Sequence, residues 1–214
     1  MFKTFKHTDD KDSSIIYIED IFDKDKQNEL LKYLNDMEDF EAGNNIFGKV
    51  PRLQKWYQMN GEYFSKSWKN KSHKRWMSKE YDDKLLKLQK NIEVVVNKYI
   101  KTTFNSCLIN KYRDGNDSIN HHRDTQSSFG IYPTIVGLSL GDDRNIEFKR
   151  VIYNDENTKS MKEDKINEKD NFTLNLKSGS LLIMLGSTQK YFTHGIPSDS
   201  SKKLRYSLTF RNYI

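Results

Sequence analysis

Histidine is scarce in this chain, five residues in 214, and two of the five stand together in "NHHRDT", Asn120 to Thr125. Side chains two apart on an extended strand share a face, so His122 and Asp124 point one way and His121 the other. An imidazole and a carboxylate on one face need a third partner to hold a divalent metal. His194, in "YFTHGIP", is the best-placed candidate and His73 is the alternative. Two histidines and one carboxylate leave the opposite side of a metal open, the arrangement favoured by non-haem Fe(II) oxygenases. Zinc hydrolysis draws on the same ligand types, so the three residues alone leave the reaction open.

The C-terminal segment "LRYSLTFRNY" narrows the choice. On a strand, Leu204, Tyr206, Leu208 and Phe210 take one face and Arg205, Ser207, Thr209 and Arg211 the other. Such a polar face is ordinarily solvated. Turned inward, two arginines are costly unless an anion pairs with them, and a dicarboxylate would meet the guanidinium and hydroxyl groups together. Asn110 and Tyr112, in "NKY", are again two apart and co-facial, and add hydrogen-bond donors.

These residues need a scaffold. "SIIYIEDIF" reads as a short strand entering a helix that Asp23 or Asp25 caps, with Leu30, Leu34 and Met37 on its apolar face. Glu38 to Trp76 is rich in rings and contains Gly43, Gly48, Pro51 and Gly61, which predicts loops and short hairpins. "DDKLLKLQKNIEVVVNKYI" predicts a second helix with Leu85, Leu88, Ile92, Val95 and Tyr99 on one stripe and Asp82 or Asp83 in the first turn. After Thr102 the pattern changes to strands: "NSCLINKYR", "TIVGLSLG", "RNIEFKRV", "FTLNLKSG", "SLLIML" and "LRYSLTFRNY", with no helix between them. "NDENTKSMKEDKINEKD" is almost wholly polar and predicts a mobile surface loop. The expected fold is α+β, mainly β, an antiparallel barrel or jelly roll with helices packed on it. One domain, 1–214, is expected, with 1–101 supplying helices and a lid and 102–214 the β-core.

Composition limits the partners. A single cysteine, Cys107, excludes an internal disulfide and a cysteine-rich zinc site and suits a reducing compartment. No apolar run approaches the roughly 20 residues that span a bilayer. The N-terminus, "MFKTFKHTDDKDSS", lacks the apolar block of a signal peptide. The expectation is an intracellular protein, nuclear or cytoplasmic, not secreted, with no membrane association, working as a monomer. The net charge of +6 is compatible with a polyanionic partner.

From about Ile46 onward the chain resembles the AlkB-type 2-oxoglutarate- and Fe(II)-dependent dioxygenases, particularly the members that repair DNA and RNA. The matching pieces are "NKYRDGNDSINHHRD", "IVGLSLGDDRNIEFK", "LKSGSLLIMLGSTQKYFTHGIP" and "RYSLTFR", with "FGKVPR" similar to the substrate-lid segment. The resemblance implies a double-stranded β-helix core with a nucleotide-recognition lid. It makes His122, Asp124 and His194 the iron ligands and catalytic centre. Asn110, Tyr112, Arg205, Thr209 and Arg211 become the 2-oxoglutarate contacts. The implied cofactors are Fe(II), 2-oxoglutarate as cosubstrate and O2. The implied reaction is oxidative demethylation of bases such as 1-methyladenine or 3-methylcytosine in DNA or RNA, releasing formaldehyde and succinate. The alternatives are a hydroxylase or demethylase of a protein or small molecule, and a non-catalytic nucleic-acid-binding module.

A methylated base must leave the duplex to reach such a pocket. Phe47, Arg52, Tyr63, Phe64 and Gln126 are the candidate substrate contacts, with Phe47 either a wedge that fills the vacated stack or a core residue. "SKSWKNKSHKRWMSK" mixes cations with Trp68 and Trp76 and contains no acid, which suits phosphates and stacked bases as well as a solvated loop. Two departures from the family pattern stand out. Gln126 lies where repair relatives often carry an acid, and Ser207 replaces a common Asn.

Overall fold

A computed structural model describes residues 1–8, 10–45, 48–64, 76–155 and 160–214. The chain runs through β1 (Phe2–Phe5), β2 (Ser13–Ile18), α1 (Lys24–Asn35), β3 (Asn44–Asn45), β4 (Gly48–Lys49), β5 (Leu53–Gln58) and α2 (Asp83–Val96). It continues through β6 (Ser106–Tyr112), β7 (Ile119–His122), α3 (Gln126–Phe129), β8 (Ile135–Gly141), β9 (Arg144–Asp155) and β10 (Ser160–Glu163). It ends with β11 (Phe172–Leu176), β12 (Ser180–Gly186), α4 (Thr188–Tyr191), β13 (Phe192–Ile196) and β14 (Arg205–Arg211).

Apart from the small β3–β4 hairpin, the described strands form two antiparallel sheets, the layout of a jelly roll. The major sheet has seven strands in the order β1-β2-β12-β8-β14-β6-β5. The minor sheet runs β10-β9-β13-β7, with β11 also on β9. Strand alternation divides the apolar residues between two cores. Leu181 and Ile183 of β12, and Tyr206, Leu208 and Phe210 of β14, face the helices and bury Leu30, Leu34, Leu85, Leu88 and Ile92 against the outside of the major sheet. Leu182 and Met184 face the other way and meet Ile146, Phe148, Leu174 and Phe192 between the sheets.

The helices begin where the sequence predicts. Asp23 Oδ1 accepts from the Lys26 amide at 2.8 Å, and Asp82 Oδ1 from the Leu85 amide at 2.8 Å. The buried stripe of α2 is rotated from the expected one. Val96 is fully buried, whereas Tyr99 lies past the helix end and is 50% exposed. Buried Gln89 and Glu93 explain the rotation. Gln89 donates to the Phe104 carbonyl at 2.6 Å and Glu93 accepts from the Phe104 amide at 2.9 Å, so that face holds the entry to β6.

Four expectations are corrected. The stretch from Glu38 to Trp76 is not only loops and hairpins, because β5 pairs along β6 and completes the edge of the major sheet. Residues before 102 therefore supply three of its seven strands, β1, β2 and β5, and the division at 101/102 is not a division of the sheet. The polar stretch after Tyr153 is a hairpin over its described part, with β10 pairing back on β9. Two four-residue helices, α3 and α4, interrupt the strands after Thr102. Such short helices lack the repeated spacing that marks a longer one.

Candidate active site

Residues directly opposite in an antiparallel sheet share a face, so each strand-to-strand row adds one line of side chains to the same wall. One row joins Gln54, Asn110, Ser207 and Ser139 across β5, β6, β14 and β8. The next row carries Tyr112 and Arg205. These rows form the major-sheet wall of a cavity of about 500 Å³ that lies between the sheets. His122, His194, Ile146 and Ile196 line it from the minor sheet, and Phe64 and Trp76 line it as well. The polar face expected on β14 is thus turned inward.

On the minor sheet, His194 of β13 pairs directly with His122 of β7, and their ring centroids are 4.4 Å apart. Gly195 permits this approach, since a Cβ there would sit 3.0 Å from the His121 amide nitrogen and the Ile119 carbonyl. Asp124 lies just beyond β7. Its amide donates to Gln189 Oε1 of α4 at 2.9 Å, and its carboxylate pairs with Arg211 Nε. One ligand atom from each of His122, Asp124 and His194 lies within 4.8 Å of the others. The His122 Nδ1 faces the Asn120 carbonyl at 3.0 Å. A carbonyl only accepts, so Nδ1 carries the proton and Nε2 keeps its lone pair for a metal.

Electrostatics favour the metal-binding forms. Burial holds the His122 imidazole below its ordinary value. Burial, with His122 alongside, pushes His194 down to about 3. Burial works against the charge on Asp124, but neighbouring Arg211 outweighs it and the carboxyl stays below its usual range. Two neutral imidazoles and an ionised carboxylate are the protonation states that a divalent cation requires.

Across the cavity, Arg205 is 1% exposed. Its Nη2 donates to Ser139 Oγ at 2.8 Å and its guanidinium lies 5.1 Å from the Tyr112 ring centre. Its Nε and Nη1 have no hydrogen-bond partner among the described residues. A buried cation with two unmatched donors suits a carboxylate held in bidentate fashion. The donor set thus fits both an Fe(II) ion at the triad and a small diacid reaching Arg205.

The other expected residues fall at different places. Asn110, Tyr112 and Thr209 line the cavity. Arg211 lines it too, but its guanidinium is engaged by Asp124. Arg52 reaches the cavity and donates from Nε to Asn110 Oδ1 at 2.9 Å and from Nη1 to the Ser118 carbonyl at 3.1 Å. Phe64 lines the cavity with its ring centre 4.6 Å from that of Trp76, whereas Tyr63 packs behind it in the Trp56 cluster. Gln126 is exposed at the start of α3 and is not among the side chains lining the cavity. His121 also borders the cavity, with its Nε2 3.1 Å from Glu147. Phe47, His73 and the basic stretch from 65 to 75 lie outside the described residues. Three contributors were not expected from sequence: Gln54, Ser139 and Gln189. Only Gln54 left a trace, because Arg52, Gln54, Trp56 and Gln58 alternate as one face of a strand.

The comparisons decide between the chemistries left open by the triad. A family model described as the 2OG-Fe(II) oxygenase superfamily matches residues 14–211. The chain belongs to this superfamily. Its members take Fe(II), 2-oxoglutarate and O2, and the relatives of this oxygenase are AlkB-type. It is 37% identical over 110 residues to the alpha-ketoglutarate-dependent dioxygenase alkB homolog 3 of Rattus norvegicus, a match covering 51% of this chain and 35% of the relative. It is 28% identical over 204 residues to the DNA oxidative demethylase ALKBH2 of Bos taurus, covering 91% of this chain and 67% of the relative. The match spans about a third of the length of the alkB homolog 3 relatives. The oxygenase also superposes on the structure of OsALKBH1 with a TM-score of 0.62 at 15% identity, covering 92% of this chain and 96% of that one. That likeness shows the fold, a jelly-roll oxygenase core.

Proposed function

We propose that this oxygenase removes methyl groups oxidatively from bases of DNA or RNA, with 1-methyladenine and 3-methylcytosine as representative substrates, acting as an intracellular monomer. The observation that carries the reading is the meeting, in one cavity, of the His122–Asp124–His194 cluster and a buried guanidinium with unmatched donors. Relatives named as DNA demethylases supply the substrate class.

In this reading His122, Asp124 and His194 bind the metal, and Arg205 takes the remote carboxylate of 2-oxoglutarate, with Asn110, Tyr112 and Thr209 lining the same bed. Arg211 keeps Asp124 ionised and oriented. When bound, iron with 2-oxoglutarate and O2 supplies an oxidation that hydroxylates an N-methyl group, lost as formaldehyde, as the cosubstrate becomes succinate and carbon dioxide. The protein's share is placement and exclusion of water. Phe64 and Trp76 offer rings against which an extruded base can stack.

The test is incubation with Fe(II), 2-oxoglutarate and a panel of modified oligonucleotides, read by mass spectrometry and formaldehyde release. Loss of 14 mass units from a methylated base is expected. Succinate formation without repair of any DNA or RNA would instead move the activity to a protein or small-molecule substrate.

A further inference from the structure

The cavity also contains an unmatched acceptor, opposite in sign to the unmatched donors of Arg205. Gln54 is 2% exposed and lines the cavity, and its Oε1 has no hydrogen-bond partner among the described residues. The orientation of this amide follows from its neighbours. Arginine only donates, so the atom of Asn110 that meets Arg52 Nε at 2.9 Å must be the oxygen. The same oxygen receives Gln54 Nε2 at 3.0 Å. Gln54 is thereby fixed with its NH2 group toward Asn110 and its carbonyl left as a lone buried acceptor. A buried acceptor without a donor is disfavoured, and a ligand that brings a proton would satisfy it. The cosubstrate cannot, because a dicarboxylate at neutral pH has no proton to give. Gln54 also stands on β5, the edge strand, two strands away from Arg205.

We propose that Gln54 is a specificity-determining residue, its carbonyl accepting a hydrogen bond from the exocyclic amine beside the methylated ring nitrogen of the substrate base. This rests on the function proposed above and adds a rule of selection. 1-Methyladenine and 3-methylcytosine carry an amine next to the methylated nitrogen. 3-Methylthymine has the same ring shape as 3-methylcytosine but places a carbonyl oxygen there, which would face the Gln54 oxygen and repel it. The pocket should therefore prefer amino bases even though Gln126 stands outside it.

The experiment measures kcat/KM on matched oligonucleotides bearing 3-methylcytosine or 3-methylthymine, for the parent, Gln54→Met and Gln54→Glu. All reactions share one cosubstrate, so any loss transmitted through Asn110 cancels in the ratio. Binding of the same oligonucleotides in Mn(II), without turnover, gives a second readout. The parent should favour 3-methylcytosine in both measurements. Gln54→Met should lower the ratio by about tenfold, the effect of one lost hydrogen bond with its repulsion, while Gln54→Glu, which keeps an acceptor, should retain the preference. A parent that binds and repairs both bases equally overturns the proposal even if no variant folds. So does a Gln54→Met ratio equal to that of the parent. If no methylated base is repaired at all, the proposed function fails and this inference fails with it.

Discussion

Removing Arg211 would strand the Asp124 carboxylate, which is buried and has that guanidinium as its ion-pair partner. Breaking one side of a buried pair costs about 3–5 kcal/mol because the remaining charge is uncompensated. Arg211→Met should lower the stability of the metal-free protein by that order in chemical denaturation, and a divalent metal should restore part of it. Arg205, on the same strand face, predicts the reverse. Among the described residues it has two unmatched donors and no carboxylate beside it, so Arg205→Met should leave the metal-free protein as stable as the parent or more so by about 1–2 kcal/mol. The same change should weaken 2-oxoglutarate binding by about a hundredfold or more, read by calorimetry in Mn(II). In the proposed reading, two arginines six residues apart in one motif thus separate into a structural charge and a ligand charge.

Among the elements, α1 and α2 are tied together through Asp82, which caps α2 and accepts from Tyr33 Oη at 2.7 Å. Asp82→Ala removes a cap and a cross-helix bond and should cost about 2 kcal/mol, a fall in Tm of about 4–8 °C for a chain of this length. Between β8 and β9, Asp143 receives Lys202 Nζ at 2.9 Å and Asn175 Nδ2 at 2.6 Å. These contacts hold its carboxyl at about 2 against an ordinary 3.8. A depressed carboxyl stabilises the fold above its unfolded value and loses that contribution as pH falls through its folded one. Denaturation midpoints should therefore drop between about pH 4 and pH 2, and Asp143→Asn should flatten that part of the profile. The strands of both cores could be read from sequence because they are short runs rich in β-branched or aromatic residues, bounded by Gly, Asp or Asn turns. β5 could not, because the residues that it and its approach present to the cavity, Gln54 and Arg52, are polar where a core face would carry aliphatic side chains. His122 with Asp124 and the β14 arginines were legible by their spacing, and His194 by the scarcity of histidine and the family resemblance. Gln189 and Ser139 were not, since their roles depend on contacts with Asp124 and Arg205, 65 and 66 residues away.

For the molecule as a whole, the two halves of the site belong to different layers. His122 and His194 of the proposed metal cluster lie on the minor sheet, and Asn110, Tyr112 and Arg205 of the proposed diacid bed lie on the major one. A cosubstrate held by both would bridge the sandwich, and neither layer alone can grip both of its ends. Binding of metal and 2-oxoglutarate should consequently be mutually reinforcing, and linkage requires each to raise the affinity for the other by the same factor. Titrating 2-oxoglutarate with and without Mn(II), and Mn(II) with and without 2-oxoglutarate, closes that thermodynamic square. A diacid shortened by one methylene should bind with less of this cooperativity, because the gap between the layers acts as a ruler for chain length.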